Sequence, residues 1–466
     1  MRKLHNGSMQ SSSGAASGAA QWRNWAGNVS ARPRRTAAPA SAQEVAAEVR
    51  RAAQDGLTIR MTGSGHSFTA AAACDDVLLR PDRLTAIRSV DPAAGTVTVE
   101  AGCPLHVLNA RLLARGLSLA NMGDSQVQTV AGATQTGTHG TGRDIGGMSA
   151  QIAALELVLA DGSIVTCSAD APAGGLAGLT APGDAGAAPV SLFDAARVGL
   201  GALGIVTAVT FAVVPAFLLT AREEPMSWSH VLSELDELTA DNEHFEFYWF
   251  PHSEGCLTKR NNRSDGPARP LPRWRYLLDD EILSNTVFGL TCQLGRRVPA
   301  VIPTVNSLAA RALGTRTYTD VAYRVYTSPR RVRFKEQEYA VPRAALSDVL
   351  GEVKSLIQRR DWRISFPIEV RVAPADDLWL STAYGRDSAY IAIHVFRTAP
   401  HEDYFSEVES IMTAVGGRPH WGKMHTRDAD YLAGVYPRFG DFVALRDALD
   451  PGRRFGNDYL TRVLGA

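Results

Sequence analysis

The chain has 466 residues, and its 48 lysines and arginines balance its 48 aspartates and glutamates, so the formal net charge is zero. This length is enough for two or three domains with a sizeable core, because domains usually have about 100 to 200 residues. A neutral chain lacks the surplus of basic residues that neutralises nucleic-acid phosphates, so we expect no nucleic-acid partner. The composition favours a small molecule as the ligand.

The five cysteines, at positions 74, 103, 167, 256 and 292, lie far apart and form no Cys-x-x-Cys pair. The sequence therefore indicates neither a disulfide framework nor a thiolate zinc site, and a reducing compartment such as the cytoplasm fits best. We expect no metal centre, because no His-Glu-x-x-His motif occurs and His420 and His425 would not share a helical face. The N-terminus lacks the apolar segment of a signal peptide.

The predicted elements of the first half follow a serine-, glycine- and alanine-rich tail at 1–21, which we expect to be disordered. Hydrophobic periodicity predicts a helix from Ala42 to near Gly56 and a helix at 104–115. Short strands are predicted at 57–62, 77–79 and 96–99, a glycine- and threonine-rich loop at 121–147, and a hairpin joining 155–159 to 164–166. The Ala/Gly/Pro-rich segment 169–190 is predicted to be a surface excursion.

The longest uncharged run, 198–221, reaches the ~20-residue length of a membrane span. It contains three glycines and Pro215, however, and 205–211 is rich in β-branched residues. We therefore interpret the run as a glycine turn followed by a buried strand, and expect no transmembrane span.

Composition changes after Pro215 towards aromatic and charged residues, which marks a domain boundary. Strands are predicted at 245–250, 318–326, 333–341, 364–373 and 388–396, and helices at 227–240, 343–360 and 402–415. The chain is therefore expected to be α+β and two-lobed.

The segment Thr62-Gly63-Ser64-Gly65-His66-Ser67-Phe68 directly follows a predicted strand. Its glycines admit positive φ and leave backbone N–H groups free to bind phosphate. A Rossmann motif would need a third glycine where Phe68 stands, and no Lys-Ser/Thr completes a Walker loop. On its own, the segment is equally compatible with an ordinary tight turn.

The segment 132–142 holds four glycines and four threonines and no aliphatic residue larger than alanine. It can bury little apolar surface, so a ligand with polar atoms is the favoured explanation for its composition. Two such loops in one lobe suggest a long ligand with a diphosphate.

In the predicted strand 364–373, a period of two places Glu369 and Arg371 on one face and Ile368, Val370 and Val372 on the other. The pattern alone is equally compatible with a functional pair and with an exposed ion pair of little energetic value. His394, in the strand 388–396, is compatible with a substrate contact or with a buried structural histidine.

Three motifs together carry a specific resemblance: Gly63-Ser64-Gly65-His66-Ser67, Thr136-Gly137-Thr138-His139-Gly140 and His420-Trp421-Gly422-Lys423. With these three motifs in this order, the chain resembles the aldonolactone oxidoreductases, which are flavoproteins of the vanillyl-alcohol-oxidase fold. The resemblance implies an α+β, two-lobed FAD-binding PCMH-type fold with an α+β cap domain. It implies an FAD-binding domain at 22–215, a substrate or cap domain at 216–415, and a segment at 416–466 that returns to the FAD lobe.

The resemblance also implies FAD as the cofactor and assigns two sets of site residues. The implied cofactor-binding set is Gly63, Ser64, Gly65, His66, Ser67, Gly123, Asp124, Thr129, Gly132, Thr136, Gly137, His139, Gly140, Ile205 and Lys423. The implied catalytic set is Glu369, Arg371, His394 and Lys423.

Individual roles in these sets follow the family pattern. His66 matches the histidine that many members bond covalently to the flavin 8α-methyl group, whereas other members bind FAD noncovalently. His139 is expected to order its loop rather than transfer protons. Lys423 is expected to place positive charge near the flavin N1 and C2 carbonyl. Gly123 is associated with oxygen access in relatives but does not separate an oxidase from a dehydrogenase.

The implied reaction is the two-electron oxidation of a sugar lactone at C2, with hydride transfer to flavin N5. Glu369 would orient or deprotonate the C2 hydroxyl, Arg371 would stabilise the developing oxyanion, and oxygen or a cytochrome-type acceptor would reoxidise the flavin. An alditol or carbohydrate oxidase on the same fold, acting on a polyol, and a flavin- or carbohydrate-binding protein without catalysis are the alternatives. Peripheral attachment to a membrane, known among relatives, is left open.

Overall fold

The computed structural model describes residues 21–176 and 191–466. The predicted tail, except for its last residue, and positions 177–190 of the predicted excursion lie outside the described residues. We call 22–215 the first lobe and 216–415 the second lobe.

The first lobe combines two larger sheets, two two-stranded sheets and short helices. Its strands are Trp22–Arg23, Ser30–Ala31, Arg35–Ala37, Ile59–Met61, Val77–Leu79, Ile87–Asp91, Thr96–Glu100, Leu117–Ser118, Ile152–Val158, Ile164–Ser168, Ile205–Ala212 and Val214–Pro215. Its α-helices are Ala42–Gln54, Leu105–Leu113, Val130–Gln135 and Leu192–Ala196, and 3₁₀ turns cover Ala70–Ala72 and Met148–Gln151. The run 198–221 contains the strand Ile205–Ala212, which confirms its interpretation as a buried strand.

The two larger sheets of the first lobe position loops rather than side chains. Arg35–Ala37, Val77–Leu79 and Ile59–Met61 form a parallel sheet, with Val77–Leu79 in the centre. Five antiparallel strands form the other sheet, in which Ile205–Ala212 lies between Ile152–Val158 and Thr96–Glu100. The glycine loop at 62–68 leaves the end of a parallel strand.

The second lobe is built on an eight-stranded antiparallel sheet, which we call the cap sheet. In spatial order its strands are Arg316–Val321, Leu218–Ser227, Gly255–Ser264, His244–Trp249, Ile368–Ala373, Ser388–Phe396, Phe334–Pro342 and Arg418–Pro419. The helices of this lobe are Trp228–Ser233, Leu235–Ala240, Arg273–Tyr276, the π-helix Leu277–Val287, Phe288–Arg297, Ile302–Ala312, Ala322–Tyr326, Leu346–Arg359 and Glu402–Ala414, with 3₁₀ turns at Pro299–Val301 and Arg343–Ala345.

The two faces of the cap sheet differ in chemistry. Ile368, Val370 and Val372 lie in an apolar cluster with side chains of the helices Leu346–Arg359 and Glu402–Ala414, because both helices are amphipathic and bury one side. The opposite face carries charged side chains and contacts the first lobe. The period of two predicted for this strand is confirmed.

Several predicted boundaries need correction. The segment 318–326 is not one strand, because the chain turns at Val321 into the helix Ala322–Tyr326, whose buried Tyr326 hydroxyl donates to the Ala120 carbonyl at 3.0 Å. The segment 227–240 is two helices, and 364–367 precedes the strand that begins at Ile368. The helices between 273 and 312 were not predicted.

The C-terminal segment crosses from one lobe to the other. Its strand Arg418–Pro419 pairs with Phe334–Pro342 at the edge of the cap sheet. Its helices are Ala429–Val435, Phe439–Leu449 and Asp458–Leu464, and they bury Leu432, Phe442 and Leu460 in the core of the first lobe. None of the helices in the described ranges has the combination of length and apolar character that crossing a membrane requires.

Candidate active site

The glycine loop at 62–68 and the helix Val130–Gln135 form the two walls of a cleft in the first lobe. A Cβ added to Gly63 would lie 2.5 Å from the Thr129 hydroxyl oxygen, so only glycine allows the two walls to approach this closely. Gly65 has φ of +72°, which glycine adopts without strain. Gly63, Ser64, Gly65, Thr129, Gly132, Thr136 and Ile205 all line this cleft.

Each wall is held by hydrogen bonds that leave the cleft open. Thr129 caps the helix, since its hydroxyl accepts from the Gly132 amide at 3.2 Å. The Ser64 hydroxyl donates to the Val127 carbonyl at 2.7 Å, and this bond ties the glycine loop to the opposite wall. The glycine-lined cleft fits a long ligand whose diphosphate binds at backbone amides.

Two residues assigned to the cofactor set lie behind the cleft wall. Gly137 has φ of +72° and makes a turn next to Val198. A Cβ on Gly140 would lie 2.3 Å from the Met122 carbonyl oxygen, so this glycine serves close backbone packing. Their role in binding a cofactor stays a prediction.

His66 stands where this cleft opens into a second cleft between the lobes, and it lines both. Its ring stacks on Trp25 with centroids 5.3 Å apart. Burial and the nearby charges of Lys423 and Arg333 lower the pKa of His66 to about 4. The imidazole is therefore neutral at neutral pH, as a nucleophilic nitrogen must be.

Lys423 reaches the second cleft from the C-terminal segment. Its ammonium pairs with Glu336 and lies 3.8 Å from a carboxylate oxygen of Glu338. Burial alone would raise the pKa of Glu336, but Lys423 and His394 outweigh it and lower that pKa to about 2. One ammonium is thus held among buried carboxylates.

His139 joins the same group from the first lobe. Its Nε2 lies 3.2 Å from Glu338, its Nδ1 lies 2.9 Å from the Gly140 carbonyl, and its ring stacks on Tyr390. His139, Glu338 and His420 bring three potential ligand atoms within 4.8 Å of one another. His420 Nδ1, however, accepts from the Gly422 amide at 3.0 Å, so this nitrogen already has a hydrogen-bond partner. The absence of a metal centre stays a prediction.

Glu369 and Arg371 form an ion pair on the cleft side of the cap sheet. Their side chains are 3% and 9% exposed, so the alternative of an exposed pair is wrong. The Tyr248 hydroxyl donates to Glu369 Oε1 at 2.9 Å, which orients the carboxylate. Burial would lower the pKa of Arg371, but Glu369, Asp124 and Glu246 raise it well above its ordinary value.

Asp124 crosses the gap between the lobes. It accepts from Arg371 at 3.0 Å and pairs with Arg330 of the second lobe. Burial opposes ionisation of Asp124, but Arg330 and Arg371 outweigh it and hold its pKa well below the ordinary range. The structure thus places Asp124, which was assigned to the cofactor set, beside the Glu369–Arg371 pair. Gly123, its neighbour, packs on the His139 carbonyl and lines the second cleft.

A row of alternating charges extends from Arg371 across five strands of the cap sheet. The residues directly opposite one another are, in order, Arg371, Glu246, Lys259, Glu223 and Arg316. Glu246 accepts from Arg371 Nε at 2.9 Å, and Arg316 donates to Glu223 at 2.7 Å. We call these five residues the charge row. It fixes the Arg371 guanidinium from the side opposite Asp124.

His394 lies in the strand next to Glu369, with its Nε2 3.4 Å from Glu336. Its ring meets Phe334 edge-on and stacks near Phe366. His394 therefore contacts both the carboxylate of Glu336 and the apolar rings of Phe334 and Phe366.

Sequence reasoning missed Asp124 as a partner of Arg371, and it missed Arg330, Glu246, Glu336 and Glu338 altogether. Glu336 and Glu338 are two positions apart in the strand Phe334–Pro342, so both side chains lie on the same face of the sheet. A period of two in charged residues was the signal that could have found them.

The glycine-walled cleft, which opens towards Arg371 and Lys423, fits an FAD-dependent oxidoreductase of the PCMH-type fold. A family model described as FAD binding domain matches residues 33–168, and one described as D-arabinono-1,4-lactone oxidase matches residues 209–463. The chain belongs to this aldonolactone oxidoreductase family, and FAD is its cofactor.

Named relatives span the whole chain. The chain is 42% identical to the L-gulono-1,4-lactone dehydrogenase of Mycobacterium tuberculosis, over 95% of this chain and 99% of the relative. It is 31% identical to the L-gulonolactone oxidase of Bos taurus and 32% identical to an alditol oxidase of Streptomyces, each over 95% of this chain and 98% of the relative. The crystal structure of cholesterol oxidase from B. sterolicum has the same fold, with a TM-score of 0.77 at 17% identity over 95% of this chain and 96% of that chain.

Proposed function

We propose that the protein oxidises a sugar 1,4-lactone, L-gulono- or D-arabinono-1,4-lactone, at the C2 alcohol to an ascorbate-type product. The observation that carries this proposal is the buried Glu369–Arg371 pair, whose Arg371 lines the second cleft together with Lys423 and His66. The names of the relatives support a lactone as the substrate.

The first-lobe cleft would hold FAD, with the glycine walls at 63–65 and 132 binding the diphosphate and His66 at the start of the second cleft. When bound, FAD supplies the oxidising ring that takes up hydride from the substrate carbon. Every other step falls to the side chains of Glu369, Arg371 and Lys423.

Glu369 is the group that orients the C2 hydroxyl and accepts its proton, because its carboxylate is buried and oriented by Tyr248. Arg371 stabilises the oxygen on which negative charge develops. Asp124 and Glu246 hold its guanidinium from two sides, so this charge is oriented before the substrate arrives.

Lys423 supplies positive charge in the second cleft, at the end near the loop of His66. Its ammonium lies 5.4 Å from the centroid of the Phe68 ring, directly beyond the glycine loop. Its charge would stabilise the negatively charged reduced flavin. Oxygen or a cytochrome-type acceptor would take the electrons at the end of the cycle, and Gly123 is compatible with either.

An alditol oxidase is the second candidate, since a relative of that name matches 95% of this chain. The charged cleft would also bind the hydroxyls of an open-chain polyol. Single-turnover reduction with gulonolactone, arabinonolactone, xylitol and sorbitol separates the two, and we expect the lactones to be fastest. Faster reduction by either polyol would overturn the lactone assignment, and colourless protein from flavin-replete cells would favour a protein without flavin chemistry.

We expect His66 to be bonded covalently to FAD. The neutral ring suits attack on the 8α-methyl carbon, because its pKa is about 4. Acid precipitation should therefore leave the yellow colour with the wild-type protein and release it from His66→Ala.

His230→Ala is the matched control, since it removes an exposed histidine that lines neither cleft, and it should retain the colour in the pellet. Release of all flavin from the wild-type protein would show noncovalent binding and would contradict the linkage.

A further inference from the structure

The second lobe contains a further cavity, which we call the inner cavity. It lies between the cap sheet and the helices Leu277–Val287, Phe288–Arg297 and Ile302–Ala312. Its volume of about 550 Å³ falls in the roughly 300–1,000 Å³ range of small-molecule sites. Much of its wall is apolar, with Leu257 from the sheet and Leu283, Val287, Phe288, Ile302 and Val305 from the helices. Such walls fit an apolar group of a ligand.

The residues of the implied catalytic set divide between two spaces. Arg371 and Lys423 line the second cleft, whereas Glu369 and His394 line the inner cavity. Arg330 lines both, so the two spaces meet at its side chain. A substrate that contacts Glu369 and Arg371 together would lie at this junction, and the part of it beyond Glu369 would enter the inner cavity.

The members of the charge row that line the inner cavity are paired within the protein. Lys259 lies 3.6 Å from Glu246, and Arg316 donates to Glu223 at 2.7 Å and to Asp280 at 3.1 Å. These three members therefore offer no free charge to an ionic ligand. A sugar hydroxyl buried against the apolar walls would lose its hydrogen bonds to water, whereas an alkyl or aryl group has none to lose.

His394 leaves one buried nitrogen without a partner in the part of the chain that the structure describes. The residue is 5% exposed, and its Nε2 makes no hydrogen bond there, although Glu336 lies 3.4 Å away. This nitrogen and the Glu369 carboxylate on the neighbouring strand can bind the polar part of a ligand. The inner cavity thus combines a polar end with an apolar body.

We propose that the inner cavity binds an apolar substituent of the substrate, so that the enzyme accepts 2-hydroxy 1,4-lactones with an alkyl or aryl group at C4. The reacting hydroxyl lies at Glu369, and the substituent lies between the cap sheet and the helices. The inference rests on the proposed function for the position of the hydroxyl, and it extends the substrate class beyond fully hydroxylated sugars.

Equilibrium dialysis with the full-length holoprotein tests this inference without any turnover. The probes are 1,4-lactones that carry methyl, ethyl, propyl or butyl at C4 and no hydroxyl at C2, so there is no C2 alcohol to oxidise. We expect Kd to fall by about two- to four-fold for each added methylene, because each one is removed from water on binding. A Kd that does not change with chain length would overturn the inference.

Filling the inner cavity should remove this dependence. Val305→Trp and Leu257→Trp each add a large ring, one from the helices and one from the sheet, and we expect Kd to become independent of chain length. Leu308→Trp is the matched control, because Leu308 lies on the same helix as Val305, is 67% exposed and lines neither this cavity nor the clefts. Its Kd values should follow those of the wild type.

Circular dichroism and retained flavin absorbance check that the variants fold. A dependence on chain length that persists in both cavity variants would overturn the inference, since the alkyl group would then bind elsewhere.

Anaerobic flavin reduction separates this inference from the proposed function. Binding that depends on chain length, together with no reduction by gulonolactone, would refute the proposed reaction and support the subsite. Reduction by gulonolactone, together with a Kd that ignores chain length, would refute the subsite alone.

Discussion

Replacing Glu369 by glutamine is expected to slow reduction of the bound flavin by a sugar lactone by about 10² to 10⁴-fold. Glutamine keeps the shape and the hydrogen bond from Tyr248, but it cannot accept the hydroxyl proton. Stopped-flow absorbance under anaerobic conditions measures this single step directly. FAD content should stay unchanged, because Glu369 lies outside the glycine-walled cleft.

Arg371→Ala should also slow reduction, by a comparable factor, because the developing oxyanion would lose its charged donor. The matched control is Glu224→Gln, which removes an ion-paired glutamate of the same sheet, bonded to Arg222 and Arg260 away from the clefts. Unchanged reduction rates in both Glu369→Gln and Arg371→Ala would refute the assigned roles.

Lys423→Met is expected to lower the free energy of unfolding by about 3 kcal/mol or more and to slow flavin reduction as well. The stability loss follows because Glu336 and Glu338 would stay buried without the ammonium between them. In the folded wild type the pKa of Glu336 is about 2, against 4.5 ordinarily, so this carboxylate contributes stability above pH 4.5 and loses it towards pH 2. The deficit of the variant should therefore be largest at neutral pH and shrink as pH falls below 4.5.

The double variant Lys423→Met with Glu336→Gln separates the two roles of the lysine. It removes the unpaired charge of Glu336, so the free energy of unfolding measured in urea should return most of the way to the wild-type value. Flavin reduction should stay slow. Recovery of the reduction rate together with stability would mean that Lys423 acts only by holding the structure.

The sequence predicted those site residues whose partners are local. A strand period of two placed Glu369 and Arg371 on one face. The glycines at 63 and 65 mark a turn that only glycine tolerates. The partners of Arg371 could not be predicted, because Asp124 is 247 positions away and Glu246 is 125 positions away. Such contacts depend on the register of strands that are distant in the chain.

The helices between 273 and 312 were missed for a different reason. A helix that packs on a core is recognised in a sequence by its polar side and its apolar side. Here, however, Leu290 and Leu294 are apolar residues on the side that faces out. The helical spacing was therefore obscured by apolar residues on more than one side.

The charge row has a consequence for how the cap sheet finds its pairing. Side chains alternate between the two faces of a strand, so a slip of one residue in Ile368–Ala373 or His244–Trp249 would move the charge of Arg371 or Glu246 into the apolar cluster around Val370. That cluster cannot neutralise a carboxylate or a guanidinium, whereas the native pairing opposes Glu246 to both Arg371 and Lys259. These two charges therefore disfavour misaligned pairing of the two strands, and the Arg371 guanidinium is in place only when both strands have paired in their native register.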